Sequence, residues 1–506
     1  MAQKNNYDSD FCGSLPLNHI NVIQSYGYLL VLEKEEFKIL QASENVSELL
    51  KGSLKDIIST PLAKFTAVEQ LRGLNERFGG QYKEKFPLGI IIDNQKMAAL
   101  AHFKPGYIIL EIEKPGLHSE RPFTEVYEEV KYAMAAIEAG NTIEEVSQSA
   151  IRELRKITGF DGIMMYRFDE DWNGTVIAED KTDEGLERYL GHTFPGSDVP
   201  RQARELYLKN PYRLIPDREY EPIRLQPVVN PVTNAFIDLS DCNLRGVAAV
   251  HLEYLKNMNV KSSMSIRVIV DEQLWGLIAC HHIAPHYLNF ETCSICEMLS
   301  AVISNRISGM IHKENFNTES ELQRVETELI AQVYAAGDVT EGLLIPRPAN
   351  LGGLLNGTGM AANVNGKYQS IGNVPDRDTV ENLFLWLQNK QADKVFHTDS
   401  LPALFDEAVA FAEVASGMLA IPVNLDKGEF IIVFRPELVQ TINWGGDPNN
   451  TINFDPDGKK YHPRASFKIW QQKVHNTSVP WTKAEVSAAE HLRAFIYEFI
   501  NKQNKV

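Results

Sequence analysis

The sequence predicts an α+β protein of three mixed domains that are connected by a long helix. The chain has 506 residues, which is too many for one hydrophobic core, and one domain per roughly 150 residues suggests about three. Short β-rich runs alternate with helix-like stretches along the chain. From residue 291 to residue 336 there is no proline and only one glycine, and apolar residues recur at helical spacing.

Turn residues and capping signals divide the first two blocks. The first block covers residues 28 to about 114 and ends at a Lys-Pro-Gly break. The second block opens with apolar periodicity over residues 126–137, and Thr142 and Glu145 then form a capping box before a helix that ends near Thr158. The strands predicted for these blocks cover residues 28–33, 89–93, 107–113, 162–168, 175–179, 263–270 and 274–283.

The third block begins near Glu314 and again alternates helices and strands. A second capping box, formed by Thr482 and Glu485, precedes a final helix that ends at about Asn501. The run 291–336 is suited to a spine between domains and to a dimer seam, and the alternative is two separate helices, because helices beyond about 25 residues are unusual. The predicted domains are residues 1–120, 121–313 and 314–506.

The composition excludes several partners. The net charge is −17, which argues against nucleic acid and anionic membranes, since phosphate surfaces are bound by an excess of Lys and Arg. No apolar run approaches the length of a membrane span, and the first residues lack a signal-peptide pattern, so we expect a cytoplasmic protein. Five cysteines without framework spacing fit reduced thiols.

One carboxylate lies in a turn that prolines stiffen on both sides. Pro195 and Pro200 fix their own φ and favour extended geometry at the preceding residues, so the segment stays outside the helix that is predicted to follow. The carbonyl of Asp198 can then point into a pocket before any ligand arrives. The run from Phe194 through Asp198, Val199 and Pro200 resembles the pocket signature of phytochromes, the bilin-binding photoreceptors.

Cys12 begins a segment that is similar to the amino-terminal attachment segment of bacteriophytochromes. The spacing from Cys12 to Ile23 is kept, and the resemblance assigns Ile23 to the bilin pocket. Several positions between them and just beyond differ from the family pattern, namely Asn18, Ile20, Asn21, Ser25 and Tyr26. A bystander thiol is the alternative for one cysteine near a terminus. Plant and many cyanobacterial phytochromes carry the attachment cysteine just before the residue matched by His251, and here that residue is Val250. The resemblance therefore implies thioether attachment of biliverdin IXα to Cys12.

The second block contains the other residues that the resemblance assigns to the bilin. His251 and Tyr254 are three apart on one predicted helical face, and Ser263 and Ser265 point the same way along a strand. Taken singly, a histidine of this kind is usually a satisfied core residue and an arginine usually a surface ion pair. The resemblance implies propionate contacts from Tyr207, Arg213, Arg245, Ser263 and Ser265, a ring-D hydrogen bond from His281, an aromatic wall from Tyr166 and Phe194, and pyrrole contacts from Asp198 and His251.

The third block contains a segment that resembles the tongue, the hairpin extension of the phytochrome-specific domain. The hairpin covers about residues 430–476, and its return run 468–474 suits either strand or helix. The matching residues are Trp444, Gly445, Gly446, Pro463, Arg464 and Ser466. The resemblance suggests that Arg464 pairs with Asp198 in one state and that Ser466 replaces it in another. A long surface hairpin with a chance motif is the alternative.

The resemblance covers nearly the whole chain and implies PAS, GAF and phytochrome-specific domains with antiparallel sheets. It also implies a red/far-red photoreceptor that switches by Z/E isomerisation of the bilin C15=C16 bond. The change would pass through the tongue and helices of a homodimer to an output domain or a response regulator. Two alternatives stay open, a GAF-type module for a cyclic nucleotide or haem and the fragment of a light-regulated histidine kinase.

No catalytic residue or metal site is predicted. Cys293 and Cys296 fall within a predicted helix and are expected to be small buried residues, and His282 and His286 are expected to be structural. The sequence does not identify the output partner, the resting state or the dark-reversion rate. It also leaves open whether the chain is truncated and whether a dimer is parallel or antiparallel.

Overall fold

The computed structural model describes residues 20–67, 85–115, 122–182, 185–345, 349–448, 452–454 and 461–503. The chain divides into two compact units. The first unit contains Met1–Met310 and Asn443–Trp470, and the second contains Ile311–Ile442 and Gln471–Val506. The α+β class is confirmed, because antiparallel pairs build the large sheets of both units and helices pack beside them.

Twenty-two strands can be numbered along the described part of the chain. They are β1 (Val22–Ile23), β2 (Gly27–Glu33), β3 (Ile39–Ser43), β4 (Phe86–Ile92), β5 (Gln95–Lys104), β6 (Tyr107–Glu113), β7 (Gly162–Phe168), β8 (Gly174–Lys181), β9 (Thr193–Phe194), β10 (Tyr212–Ile215), β11 (Ile223–Gln226), β12 (Ser262–Val270), β13 (Gln273–His282), β14 (Gly359–Val364), β15 (Lys367–Gly372), β16 (Phe396–Thr398), β17 (Gly417–Asn424), β18 (Glu429–Arg435), β19 (Gln440–Gly445), β20 (Ile452–Phe454), β21 (Tyr461–Pro463) and β22 (Ile469–Val474).

Twelve α-helices can be numbered in the same way within the described residues. They are α1 (Val46–Leu50), α2 (Leu54–Ile57), α3 (Phe123–Glu138), α4 (Ile143–Thr158), α5 (Arg201–Lys209), α6 (Ala249–Asn257), α7 (Phe290–Ala336), α8 (Val339–Leu344), α9 (Leu351–Leu354), α10 (Arg377–Asn389), α11 (Ala412–Ala415) and α12 (Lys483–Gln503). Helix α7 is one helix of 47 residues, so the alternative of two separate helices is wrong. No helix of this set is long and apolar enough to cross a membrane.

The first unit contains a seven-stranded sheet in the order β1, β11, β3, β2, β6, β5, β4. Strands β2 and β6 are buried almost throughout, because one apolar cluster covers each face of the sheet. Strand β5 was not predicted from the sequence, because its three alanines favour helix. Pairing with β4 on one side and β6 on the other overrides that local preference.

A second sheet of the first unit places strands in the order β10, β12, β13, β7, β8, β9. Strands β12 and β13 form a hairpin whose two turn residues, Asp271 and Glu272, have positive φ of 51° and 62°. Helix α4 begins as its capping box predicts, since the Thr142 hydroxyl accepts from the backbone N–H of Glu145 at 3.1 Å. It ends at Gly159, whose φ is 70°.

The proline-flanked turn lies between β9 and α5. Residues Gly196–Asp198 form one turn of 3₁₀ helix, and α5 begins at Arg201. Pro195 and Pro200 have extended backbone, with ψ of 149° and 159°. The turn therefore stays outside the helix, as the sequence predicts.

The second unit is built on a five-stranded antiparallel sheet in the order β15, β14, β18, β17, β16. Strand β18 alternates between two cores: Phe430, Ile432 and Phe434 belong to one apolar cluster, and Ile431 and Val433 belong to the other. Helix α10 packs in the first cluster, and α12 packs in the second with the last turns of α7.

A buried ion pair connects β18 to the start of α12. The Glu485 carboxylate accepts from Nη2 of Arg435 at 2.5 Å, and both side chains are 4% exposed. The same carboxylate accepts from the backbone N–H of Thr482 at 2.8 Å, and the Thr482 hydroxyl accepts from the N–H of Glu485 at 3.2 Å. The capping box predicted at the start of the last helix is therefore confirmed.

Candidate functional site

The first unit encloses a cavity of 410 Å³. The inner face of the second sheet forms one wall, and the turn at Asp198 with helices α5 and α6 forms the other. This volume lies within the range that is usual for small-molecule and cofactor sites. The wall is mostly apolar, and a few polar side chains converge on it from separate elements.

Strand register places polar side chains on the sheet wall in rows. Ser265 on β12 lies opposite Arg213 on β10, and Ser263 lies opposite His281 on β13. Side chains of directly opposed residues share one face of an antiparallel pair. Ser263 and Ser265 share that face as well, because they are two apart on one strand.

Two arginines lie at one corner of the cavity. Arg213 donates from Nη1 to the carbonyl of Asn243 at 3.0 Å and from Nη2 to the carbonyls of Arg245 and Gly246. Burial lowers the pKa of Arg213. Burial together with the charge of Arg213 lowers the pKa of Arg245 to about 9. An anion bound between these two desolvated cations would offset their repulsion.

Tyr207 on α5 lies at the same corner of the cavity. Its side chain shares a hydrogen bond with Ser265, and burial raises its pKa. The hydroxyl is therefore a neutral donor at physiological pH. Guanidinium, phenol and serine hydroxyl groups together form a donor set that suits carboxylates.

Both histidines of the cavity are neutral at neutral pH. Burial lowers the pKa of His251 to about 4, with a smaller contribution from the charge of Arg213. Burial also lowers the pKa of His281 to about 4, and the nearby His251 adds to this. A neutral imidazole has one N–H donor and one nitrogen acceptor, so each ring can hold an oxygen or an N–H group. The His251 ring stacks on Tyr254, with centroids 6.0 Å apart and planes 12° apart.

Asp198 connects the cavity wall to the tongue. Its Oδ2 accepts a hydrogen bond from the Tyr254 hydroxyl at 2.8 Å and an ion pair from Nη2 of Arg464. The side chains of Asp198 and Arg464 are 8% and 3% exposed. Burial raises the pKa of Asp198, and the Arg464 charge and the Tyr254 hydrogen bond oppose that rise. Burial opposes the charge of Arg464, but Asp198 keeps the pKa of Arg464 raised.

Aromatic rings surround the Arg464 guanidinium. It lies 5.3 Å from the ring centroid of Phe194 and 4.8 Å from that of Phe467. Phe467 is buried and meets the Tyr254 ring edge-on at 5.0 Å. Its burial was not predicted, although it stands within the motif that marks the tongue. A single aromatic residue in a polar segment is the only signal that the sequence offers for it.

Two tongue glycines are required by close approaches. A Cβ on Gly445 would lie 2.9 Å from the Phe194 ring, and one on Gly446 would lie 3.2 Å from Nη1 of Arg464. Gly446 also has a φ of 106°, which side chains rarely tolerate. Trp444 pairs in parallel with Thr193 of β9. Gly445 is therefore required by the docking of the tongue against Phe194, and Gly446 by the backbone conformation and close packing within the tongue.

The cavity contains most of the residues that the sequence assigned to the ligand. Those that line it are Tyr166, Phe194, Asp198, Val199, Pro200, Tyr207, Arg213, Arg245, His251, Tyr254, Ser263, Ser265, His281 and, from the tongue, Pro463. Arg464 contacts the lining residue Asp198 from outside. Ser466 is exposed, and the segment 464–468 is not strand, so Ser466 does not follow Arg464 on a strand face. The ambiguous return run is strand β22.

Two predicted residues fall elsewhere. Ile23 does not line the cavity: it is fully buried in the apolar cluster of Leu225 and Leu244 and bridges to Arg245 through the backbone. Ile20 lines the cavity from the same segment. Cys12 lies outside the described residues. The sequence analysis also missed lining residues such as Val247, Met258 and Leu277, because an apolar residue gives no signal of which cavity it will face.

The other histidine and cysteine pairs do not line the large cavity. The rings of His282 and His286 stack at 4.7 Å, and Nε2 of His286 lies 2.7 Å from the carbonyl oxygen of Thr158. Cys293 and Cys296 are free and buried in α7, as expected. Burial raises the pKa of both thiols.

Relatives and solved structures resemble the chain over almost its full length. Cyanobacterial phytochrome B of Nostoc sp. is 36% identical over 495 residues, which are 97% of this chain and 66% of the relative. The bacteriophytochrome of Xanthomonas campestris pv. campestris is 31% identical, over 97% of this chain and 79% of the relative. The chain thus spans about two thirds of the length of the cyanobacterial relative.

Two solved structures share the fold. The crystal structure of a bacteriophytochrome from the photosynthetic bacterium R. palustris has a TM-score of 0.81 at 31% identity, covering 97% of this chain and 99% of that one. The Stigmatella aurantiaca phytochrome photosensory core module has a TM-score of 0.82 at 32% identity, covering 97% and 98%.

Family models match three successive segments: the PAS fold over residues 12–115, the GAF domain over residues 142–307 and the phytochrome region over residues 322–505. The chain thus combines a PAS fold with a GAF domain, and most of the residues that line the cavity belong to the GAF segment. Because the phytochrome region follows, and because the similarity to phytochromes extends over 97% of the chain, the chain belongs to the phytochrome family of photoreceptors.

Proposed function

We propose that this chain is the photosensory part of a red/far-red photoreceptor that binds biliverdin IXα through Cys12. The observation that carries the proposal is the single cavity that joins a pair of buried arginines, two neutral histidines and the Asp198 contact with Arg464. When bound, a bilin supplies absorption of visible light and Z/E isomerisation about its C15=C16 double bond. The protein binds the bilin, orients it and responds to its change.

The donors at the arginine corner fit the two propionates of a bilin. Arg213 is already oriented by three backbone carbonyls, and its remaining N–H groups and those of Arg245 would bind one carboxylate. Ser263 and Ser265 would bind the other carboxylate, with Tyr207 held beside Ser265. Burial lowers the pKa of both arginines, so a carboxylate bound beside them would favour their charged forms.

The neutral histidines fit the remaining polar groups of a bilin. His281 would donate to the carbonyl oxygen of ring D, and His251 would contact the pyrrole nitrogens together with the Asp198 carbonyl. Tyr166 and Phe194 would form an apolar wall around ring D, which rotates on isomerisation, and would exclude water from it. Their ring centroids are 6.2 Å apart, so the two rings form one continuous surface.

Cys12 is proposed as the attachment residue because the described cysteines are unsuitable. Cys242, Cys280, Cys293 and Cys296 are buried, and burial raises the pKa of each thiol. A thiol attacks as its thiolate, so a raised pKa disfavours reaction. Val250 lines the cavity. It stands at the position where plant and many cyanobacterial phytochromes carry the attachment cysteine.

The tongue would relay the change. Illumination would break the contact of Arg464 with Asp198, Ser466 would take its place, and residues 469–474 would pass from strand to helix. The long helices would transmit this change to an output domain or a response regulator, and the chain would act as a homodimer. A histidine kinase output is one form that such a domain would take.

Co-expression with a haem oxygenase tests the binding proposal. The purified protein should absorb red light and photoconvert, and a denaturing gel should show zinc-induced fluorescence at the mass of the chain. Cys12→Ala should still bind biliverdin but lose the fluorescent band, whereas the matched control Cys242→Ala should keep it. A band that persists in Cys12→Ala would refute the attachment, and an intense haem band without bilin absorption would favour a haem-binding module.

A further inference from the structure

A second, small cavity adjoins the large cavity of the first unit. Met164, Met258 and His281 line both cavities. The small cavity has a volume of 20 Å³, and one water molecule needs about 10–15 Å³ of such volume. There is therefore room for a water molecule in the small cavity beside His281.

The small cavity is open because residue 162 is a glycine. Gly162 on β7 lies directly opposite His281 on β13, so a side chain at this position would share the face of the His281 ring. A Cβ there would lie 2.8 Å from Cδ1 of Leu186 and 3.2 Å from the Cβ of Lys181. Both residues line the small cavity. Any side chain at position 162 would therefore crowd its wall.

Charged side chains also line the small cavity, namely Glu179, Lys181 and Glu187. Glu187 is exposed, and its carboxylate accepts from the Tyr189 hydroxyl at 3.4 Å. Glu179 on β8 accepts from the backbone N–H of Tyr189 at 2.8 Å, and the Lys181 ammonium donates to the carbonyl of Leu186. Polar groups of this kind retain water, so a hydrogen-bonded chain can extend from solvent to the buried imidazole.

We propose that the small cavity is the water-filled route by which the His281 ring exchanges protons with bulk solvent. A proton on the imidazole would pass to the water molecule beside it, and that water would pass a proton to the Glu187 carboxylate or to solvent. The charged and titratable groups around His281 are Glu179, Lys181, Glu187 and Tyr189 in the small cavity and His251 of α6 in the large one. The role of the route in photoconversion rests on the proposed function, whereas the route itself is a property of the polypeptide.

Exchange of the imidazole C2 proton for deuterium tests the route. This slow exchange requires a protonated ring in contact with hydroxide, and mass spectrometry of peptides measures it for each histidine. The measurement uses the dark, biliverdin-loaded protein, so that the large cavity is filled, and its absorption spectrum shows beforehand whether the bilin is bound. A failure to bind bilin is thus distinguished from a failure of the route. The limiting rate at high pH is proportional to Kw/Ka. Multiplying it by Ka/Kw, with Ka taken from the pH dependence of the same exchange, gives the second-order rate constant for attack by hydroxide, which no longer contains the pKa.

Two variants change the route in opposite directions. Gly162→Ala narrows it and should lower the second-order rate constant for exchange of His281 by about threefold or more, whereas Leu186→Ala widens it and should raise that constant by a similar factor. His251 lines only the large cavity of the two, so its C2 exchange should be unchanged in both variants.

Gly89→Ala on β4, where the new Cβ meets only Lys96 at 3.8 Å, is the matched control. Unchanged His281 exchange in both variants, or equal changes for His251 and His281, would overturn the proposal.

Discussion

Removal of Arg464 should undock the tongue in a pH-dependent way. The Arg464 and Asp198 side chains are almost fully buried, and taking one partner from a buried ion pair typically costs about 3–5 kcal/mol because the other charge is left uncompensated. At about 1.4 kcal/mol for each factor of ten, Arg464→Ala should lower the docking equilibrium constant by about 100-fold to 4,000-fold at pH 8.

The sign of the pH dependence follows from the pKa of the Asp198 carboxyl group. Burial raises its pKa in the docked state, and the Arg464 charge opposes that rise, so the variant has a still higher docked-state pKa. A group whose pKa is raised by docking favours docking at low pH and loses that contribution as pH rises. The variant should therefore lose about 1.4 kcal/mol of docking per pH unit from about pH 4 up to the docked-state pKa of Asp198.

Amide hydrogen exchange of residues 461–470 measures the docking. Wild-type protein should protect this segment, and Arg464→Ala should protect it at pH 5 far better than at pH 8, after correction for intrinsic exchange rates. The double variant Asp198→Asn with Arg464→Ala has no buried charge at this site, so its protection should not depend on pH. Arg324→Ala removes a side chain that is 61% exposed and serves as the control. Full protection of residues 461–470 in Arg464→Ala at pH 8 would refute the reasoning.

Three further predictions follow from the same contacts. Asp198→His should bind biliverdin, form little far-red-absorbing state and fluoresce more, as absorption and emission spectra after red light would show. Glu485→Ala should lower the free energy of unfolding in urea by about 3–5 kcal/mol, because Arg435 is left buried without its carboxylate, and Glu485→Gln should cost less. Infrared difference spectra should show strand loss and helix gain on illumination, since residues 469–474 contain no Pro or Gly; photoconversion without an amide I change would contradict this.

The sequence analysis located those elements whose boundaries depend on local chemistry. The capping box at Thr142 and the turn residue Gly159 define helix α4, and prolines on both sides hold Asp198 in a turn. A long run without proline predicted the long helix α7. Each of these signals acts within a few residues of itself, so a single sequence contains all the information that they need.

The site residues were predicted from motifs, because composition and periodicity do not reveal which residues meet. Motif positions identified most of the polar groups that converge on the cavity, from Tyr166 to His281. They did not identify the apolar lining, the burial of Phe467 or the exclusion of Ile23 from the cavity. Apolar side chains are interchangeable in sequence patterns, and only their three-dimensional neighbours decide what each one contacts.

The sequence by itself determined the class of fold, the ends of its well-capped helices and the rigid turn at Asp198. Only the tertiary structure decided that Asp198 would meet Arg464, which is 266 positions away, that β5 would be a strand and that Gly162 would stand opposite His281. The physical reason is that capping and backbone restriction are local interactions. Strand register, buried ion pairs and cavities depend instead on the free energy of packing segments that are distant in sequence.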